Sequence, residues 1–312
     1  MKNNTMKNIM VIGSTCVDII INMDHLPKTE EDIHPTGQSM ALGGCAYNTA
    51  SMIKLFQAPV TLLSPVGTGF YGEYVEKELR KHGFDIAVRV TDQENGCCYC
   101  LVEKSGERTF MSCHGAEYTF QKRWMEAFQS VFYEMYYVCG LEIEEPTGMS
   151  LIEYLEEQFD SRMPGYEKKQ LFYAPGPRGI RISEEKNKRL YALHPVLHIN
   201  ETEALELSGC LQIPQAAETL YSRTGNTVII TLGEKGTYCL EAAGKSYTVP
   251  GFSTEVNDTI GAGDAHIGAV MACLSKGMAC QTAIKNANLA AAMVVGSKGA
   301  TLSKEEFDKI RF

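Results

Sequence analysis

Asn257-Asp258-Thr259-Ile260-Gly261-Ala262-Gly263-Asp264 leads straight into a helical run from Ala265 to about Ser275. Glycines ahead of a helix let backbone amides approach an anion, and the helix N-terminus adds partial positive charge. Asp264 then falls in the first helical turn, beside those amides. A carboxylate there can take a proton from an attacking hydroxyl while the amides stabilise a transferring phosphate. A Gly-x-Gly-Asp on its own is equally a turn and a helix cap. Its meaning depends on what the rest of the chain builds around it.

Working outward, short apolar strands alternate with amphipathic helices. Ile9 to Ile12 ends at Gly13, and Ile19 to Asn22 follows. Gly43-Gly44 opens a helix from about Tyr47 to Phe56. Thr61 to Leu63 is a strand, and a helix from about Tyr71 to His82 ends at Gly83, where a left-handed cap belongs. Further strands are expected at 136–138, 171–173, 196–199 and 228–230, with a hairpin at 238–240 and 247–249. Uniformly apolar strands between helices indicate a parallel sheet covered on both faces. Residues 85–112 differ: turns at Glu94-Asn95-Gly96 and Lys104-Ser105-Gly106 mark a β-rich insertion of hairpins. The expected architecture is one α/β domain over residues 1–312, with a small lid from about 14–38 and 85–113.

Composition narrows the function. The 312 residues carry a net charge of −9, with 44% hydrophobic and 21% charged. Clustered positive charge for a nucleic-acid surface is lacking, and an acidic protein suits an anionic membrane poorly. No apolar run approaches the ~18 residues of a membrane helix. The N-terminus has no signal-peptide pattern. Eleven cysteines without a leader point to a reducing compartment, hence a cytoplasmic protein with thiols rather than disulfides.

Gly43-Gly44 with Asn48, and Asp258-Thr259-x-Gly261-Ala262-Gly263-Asp264, resemble the two signatures of the PfkB (ribokinase-like) kinase family. Asn200-Glu201-Thr202-Glu203 looks like its Asn-x-x-Glu motif. Thr231-Leu232-Gly233 with Gly236 looks like its nucleotide-proximal strand and turn, and Asp18 matches its sugar-binding aspartate. These stand in the family's order from about Ile9 to Ala300. The resemblance implies a ribokinase-like three-layer α/β/α sandwich with a mostly parallel sheet and a β-sheet lid. It implies an ATP-dependent kinase acting on a hydroxymethyl group of a small carbohydrate, with Asp264 as base and Gly261, Ala262 and Gly263 as the anion hole. Asp18, Gly43, Gly44, Asn48 and Glu142 would hold the acceptor. Asn200, Thr231, Gly233, Gly236 and Asn288 would hold the nucleotide. Asn200 and Glu203 would organise Mg²⁺ through water. Asp258 with Lys298-Gly299-Ala300 would border a monovalent-cation site, which makes K⁺ a hypothesis, and lid sheets that pair between subunits suggest a homodimer.

The residues also leave alternatives open. Glu142, beside Glu144 and Glu145, is equally a solvated acidic turn. Asn200 and Glu203 are equally the start of a helix. Cys16, two residues before Asp18, and Cys45, after Gly44, stand where ribokinases carry asparagine and lysine. Val66-Gly67-Thr68-Gly69-Phe70 lacks the family's acidic residue. Ribose is therefore in doubt. Arg108 and Arg89 leave room for a phosphosugar acceptor, and Phe110 and Tyr99 for a nucleoside. A catalytically silent sugar- or nucleotide-binding regulator is the remaining reading. Cys97 and Cys100 have zinc-like spacing, but strand alternation turns them to opposite faces. His114, His194 and His198 show no carboxylate or serine partner at a recognisable spacing, so a hydrolase triad has no support.

Overall fold

The computed structural model of the chain describes residues 6–128 and 130–310; residues 1–5, where a leader would begin, lie outside them. The strands run in chain order as β1 (Ile9–Ile12), β2 (Cys16–Met23), β3 (Gly37–Gly43), β4 (Val60–Leu63), β5 (Pro65–Thr68), β6 (Val88–Glu94), β7 (Cys97–Glu103), β8 (Arg108–Cys113), β9 (Met135–Cys139), β10 (Gln170–Ala174), β11 (Val196–Asn200), β12 (Val228–Thr231), β13 (Thr237–Ala242) and β14 (Lys245–Val249).

One sheet has the order β14-β13-β12-β11-β10-β9-β1-β4. From β4 to β12 all neighbours are parallel, and β13 and β14 add an antiparallel hairpin at the edge. Successive side chains of a strand point to opposite faces, so the buried run Ile9 to Ile12 feeds two cores. Ile9 and Val11 join the core formed with helices Cys45–Leu55, Ala262–Ser275 and Cys280–Gly296. Met10 and Ile12 join the one formed with helices Gly148–Gln158 and Ile213–Thr224. The result is the expected three-layer α/β/α arrangement. The parallel strands all end on one edge, where Ser14, Gly140, Asn200 and Thr231 emerge; open α/β sheets bind ligands at that edge.

The second sheet has the order β3-β2-β7-β8. It differs from the expected lid in two ways. Gly37–Gly43 is a full strand antiparallel to β2, so the first lid segment runs past its expected end at residue 38. Val88–Glu94 is not a lid strand at all: it pairs in parallel with β5, because Val88 and Val90 are drawn into the core with Ala116 and Phe120. Only β7 and β8 form the expected hairpin. Val17, Ile19 and Cys97 pack down onto Val75 and Leu79 of helix Gly69–Lys81. Asp18 and Cys98, paired in register, therefore face the other way, toward the strand ends.

Candidate active site

Gly261 begins helix Ala262–Ser275 with φ 74, a left-handed conformation that costs glycine little. A Cβ there would also lie 2.3 Å from the Ala300 carbonyl oxygen. Gly263 is different: a Cβ would meet nothing within 4 Å. Its lack of a side chain therefore keeps space open rather than relieving a clash. Asp264 follows in the first turn.

Two cavities meet at this turn. The larger, about 290 Å³, runs past Thr231, Gly233, Gly236 and Asn288 and is walled by Val256 and Val295. The smaller, about 150 Å³, is lined by Cys45, Asn200, Glu203 and Asp264. Thr231 and Gly263 line both. Among the described residues lining either cavity there is no lysine or arginine.

Asp264 is fixed from the neighbouring helix. Asn48 Nδ2 donates to Asp264 Oδ2 at 2.9 Å. The helices approach closely enough because Gly268 sits against Thr49, where a Cβ would fall 2.7 Å from the Thr49 carbonyl oxygen. Burial pushes the Asp264 carboxyl up to about 7. The Asn48 amide and the Cys45 thiol pull it down, and the charges of Glu142 and Asp18 push it up further. A carboxylate tuned near neutrality is suited to general-base work. Asn48→Ala removes the strongest downward influence. It is expected to move the acidic limb of the pH–rate profile to higher pH, read from kcat/KM between pH 5 and 9.

Asp18 leans on Gly43, whose hypothetical Cβ would sit 2.0 Å from Asp18 Oδ2. Gly44, with φ 98, lies against the Ser14 carbonyl, leaving 2.5 Å for a Cβ. Burial pushes the Asp18 carboxyl up to about 6, opposed by the Cys16 thiol, which donates to Oδ1 at 3.7 Å.

Glu142 is no solvated turn. It is fully buried, and its Oε1 accepts the Ser14 N–H at 2.8 Å. Burial raises its pKa. Glu142 Oε2 and Asn48 Oδ1 are buried without hydrogen-bond partners. Such orphaned atoms are costly and call for a polar ligand or water. Glu144 and Glu145 point elsewhere, to Arg178 and His114. His114 thus has a carboxylate partner, 2.6 Å away but 31 residues on, at a spacing no sequence motif would reveal.

Asn200 and Glu203 form a capping box. The Glu203 N–H donates to Asn200 Oδ1 at 2.9 Å, and the Asn200 N–H donates to Glu203 Oε2 at 3.1 Å. The structural and the cleft-lining roles therefore coincide, since both residues also border the smaller cavity.

Asn288 lines the larger cavity, but its amide is committed. Oδ1 accepts from Thr237 Oγ1 at 2.6 Å and faces His266 Nε2 at 3.0 Å, while Nδ2 donates to the Val249 and Pro250 carbonyls. His266 Nδ1 in turn meets His198 Nε2 at 2.8 Å. Burial pushes His266 down to about 4, keeping it neutral. Sequence reasoning missed this network, because its members are far apart in the chain and no spacing links them.

Asp258 accepts the Ile260 N–H at 2.8 Å and the Gly299 N–H at 3.3 Å, and it pairs with Arg108 of the lid. Arg89 lies away from the cleft, on Glu76 and the Gly67 carbonyl. Tyr99 packs against the core on the lid face opposite Asp18, whereas Phe110 is exposed and lies on the Asp18 face.

A family model for pfkB family carbohydrate kinases matches residues 6–306. The chain belongs to the pfkB carbohydrate kinase family. As a family member it is a phosphotransferase acting on a sugar hydroxyl, and its ribokinase-type relatives use ATP. An Escherichia coli K12 protein described as an uncharacterized sugar kinase, YegV, is 31% identical over 95% of this chain and 90% of its own. The ribokinase of Haemophilus influenzae is 28% identical over 95% of each. Among solved structures, Thermotoga maritima ribokinase superposes with a TM-score of 0.80 at 24% identity, covering 97% of this chain and 98% of its own. That last likeness supports the fold alone. This pfkB kinase has no helix, among its described residues, long and apolar enough to cross a membrane.

Proposed function

We propose that this kinase transfers the γ-phosphate of ATP to a hydroxymethyl group of a small sugar that carries no phosphate, with Asp264 as the base. One observation carries the reading: Gly263 lines both cavities, and Asp264 follows it on the smaller one. A nucleotide in the larger cavity would thus present its terminal phosphate between the helix N-terminus and the carboxylate. Asn48 orients Asp264, and Asp264 takes the hydroxyl proton as the oxygen attacks phosphorus. The amides of Gly261, Ala262 and Gly263 stabilise the charge on the transferring group. Asp18, seated against Gly43, accepts hydroxyl hydrogen bonds, and buried Glu142 offers one free oxygen. The lid excludes water from the transfer.

The cleft itself suits Mg²⁺. Asp264, Asp18, Glu142 and Glu203 are carboxylates, and the two cavities lack any lysine or arginine among the described residues. A nucleoside triphosphate there needs other positive charge. Asn200 and Glu203 would hold the ion through water, because Mg²⁺ keeps much of its hydration shell; it would neutralise phosphate charge. K⁺ is not part of this reading, since Arg108 and two backbone N–H groups already serve the Asp258 carboxylate.

Free sugars are favoured over phosphosugars because both candidate arginines are engaged elsewhere. For nucleosides the lid is divided: Tyr99 is turned away, while exposed Phe110 shares the Asp18 face, so a nucleoside acceptor is the second reading. The unpaired outer edge of β8, with Phe110 and Met111 exposed, supports pairing of lids in a homodimer. The cysteines are all free thiols, which supports a cytoplasmic location. An ADP-release screen over free sugars, phosphosugars and nucleosides tests the acceptor. Turnover of free sugars is expected. Turnover confined to phosphosugars or nucleosides would overturn the acceptor class, and none anywhere would favour a silent binding protein.

A further inference from the structure

The lid face that carries Asp18 also carries two thiols. Cys98 is the register partner of Asp18 across β2 and β7. Cys100, two residues further along β7, projects from the same face. Their sulfurs are 4.0 Å apart. One ligand atom from each of Asp18, Cys98 and Cys100 lies within 4.8 Å of the other two. A tetrahedral Zn²⁺ with Zn–S bonds of about 2.3 Å places two sulfurs about 3.8 Å apart. The thiols therefore need to move only a few tenths of an ångström.

We propose that Asp18, Cys98 and Cys100 form a zinc site, and that Zn²⁺ and the sugar exclude one another because both require the Asp18 carboxylate. The second half rests on the reading of Asp18 as an acceptor ligand; the first half does not. Two thiolates and a carboxylate leave one tetrahedral position open, as in zinc sites that keep a solvent ligand. Binding releases the two thiol protons. Cys98 Sγ already accepts from the Cys100 thiol. Ser112 Oγ adds a further contact at 3.5 Å. Mg²⁺ does not compete, because it prefers oxygen ligands in an octahedron. The site would make the kinase sensitive to free zinc at its acceptor pocket while the nucleotide cavity stays unaffected.

The experiment uses the reduced full chain without nucleotide or sugar. Zn²⁺ is titrated against a chromophoric chelator, and Co²⁺ serves as a spectroscopic probe of the same site. Wild type is expected to show thiolate-to-cobalt charge transfer and a zinc-edge absorption shell with two sulfurs. Cys98→Ser/Cys100→Ser, checked for an unchanged thermal midpoint, is expected to lose zinc affinity by more than about tenfold, since even outer-shell losses cost that much. Retention of the cobalt signal in the double variant would assign the metal to other cysteines and overturn the site. If the double variant fails to fold, the wild-type absorption shell decides: no sulfur ligands overturns the site. In turnover with saturating ATP, Zn²⁺ should raise the KM for the sugar selected by the screen and leave the KM for ATP unchanged. Zinc binding at the three residues without relief by sugar would overturn the exclusion and leave the Asp264 chemistry standing.

Discussion

Asp264→Asn is expected to lower kcat by about 10²–10⁴-fold, the usual contribution of a positioned general base, with ATP binding preserved. The amide keeps the shape of the carboxyl and can still meet Asn48 after a flip, but it cannot accept a proton from the acceptor hydroxyl. The pH dependence supplies a second readout. Only the ionised carboxylate is a base, and burial pushes this group up to about 7. Wild-type activity should therefore fall as pH drops through 7, and the residual activity of the variant should lose that limb. Stability should move the opposite way. A carboxyl whose folded pKa lies above its unfolded value of 3.8 costs stability as pH rises from the unfolded toward the folded value. The cost is complete above about 7. At pH 8 the variant escapes it, so its thermal midpoint should rise. Near-normal turnover would remove Asp264 from the chemistry. Lost turnover with a lowered midpoint at pH 8 would mean that the side chain is mainly structural.

Most of this site was legible because its parts are local. The glycines before helix Ala262–Ser275 and the turn-borne Asp264 occupy one short stretch. Asp18 borders the apolar run Ile19 to Asn22, and Gly43-Gly44 opens a helix that the apolar pattern locates. Less was legible wherever a fact depends on two distant segments. Gly37–Gly43 becomes a strand only because β2 offers it a hydrogen-bonding edge; its own residues have little β propensity. Val88–Glu94 alternates like a lid strand, yet its valines are claimed by the core beneath β5. Asn288 was placed by position, and its commitment to Thr237 and His266 could not be seen without the fold. The thiols are instructive in another way. Alternation along β7 separates Cys97 from Cys100, as the sequence implies, and the same rule sets Cys98 with Cys100. What the sequence hides is the third member, Asp18, which arrives from β2. Glu142 is the reverse case: an acidic run suggests solvent, but the Ser14 N–H at the end of β1 draws it inside.

Asp18→Ala should act on the sugar rather than on the chemistry. A carboxylate accepting two hydroxyls gains about 1.5–3 kcal/mol from each charged hydrogen bond. Their loss corresponds to a rise of about 10²–10⁴-fold in sugar KM at tenfold per 1.4 kcal/mol. The KM for ATP should not change. Gly43→Ala should produce the same pattern with Asp18 intact. Its Cβ would arrive 2.0 Å from Oδ2, so the carboxylate must swing out of place. The charge of Asp18 also reaches Asp264, where it helps to raise the base. Removing it should move the acidic limb of the pH–rate profile to lower pH, the opposite direction from Asn48→Ala. Two variants at one site that shift the same limb in opposite directions cannot both be explained by loosened packing. They require that Asp264 is the titrating group, with Asn48 stabilising its charge and Asp18 opposing it. A limb that moves the same way in both variants, or in neither, would place the titrating group elsewhere.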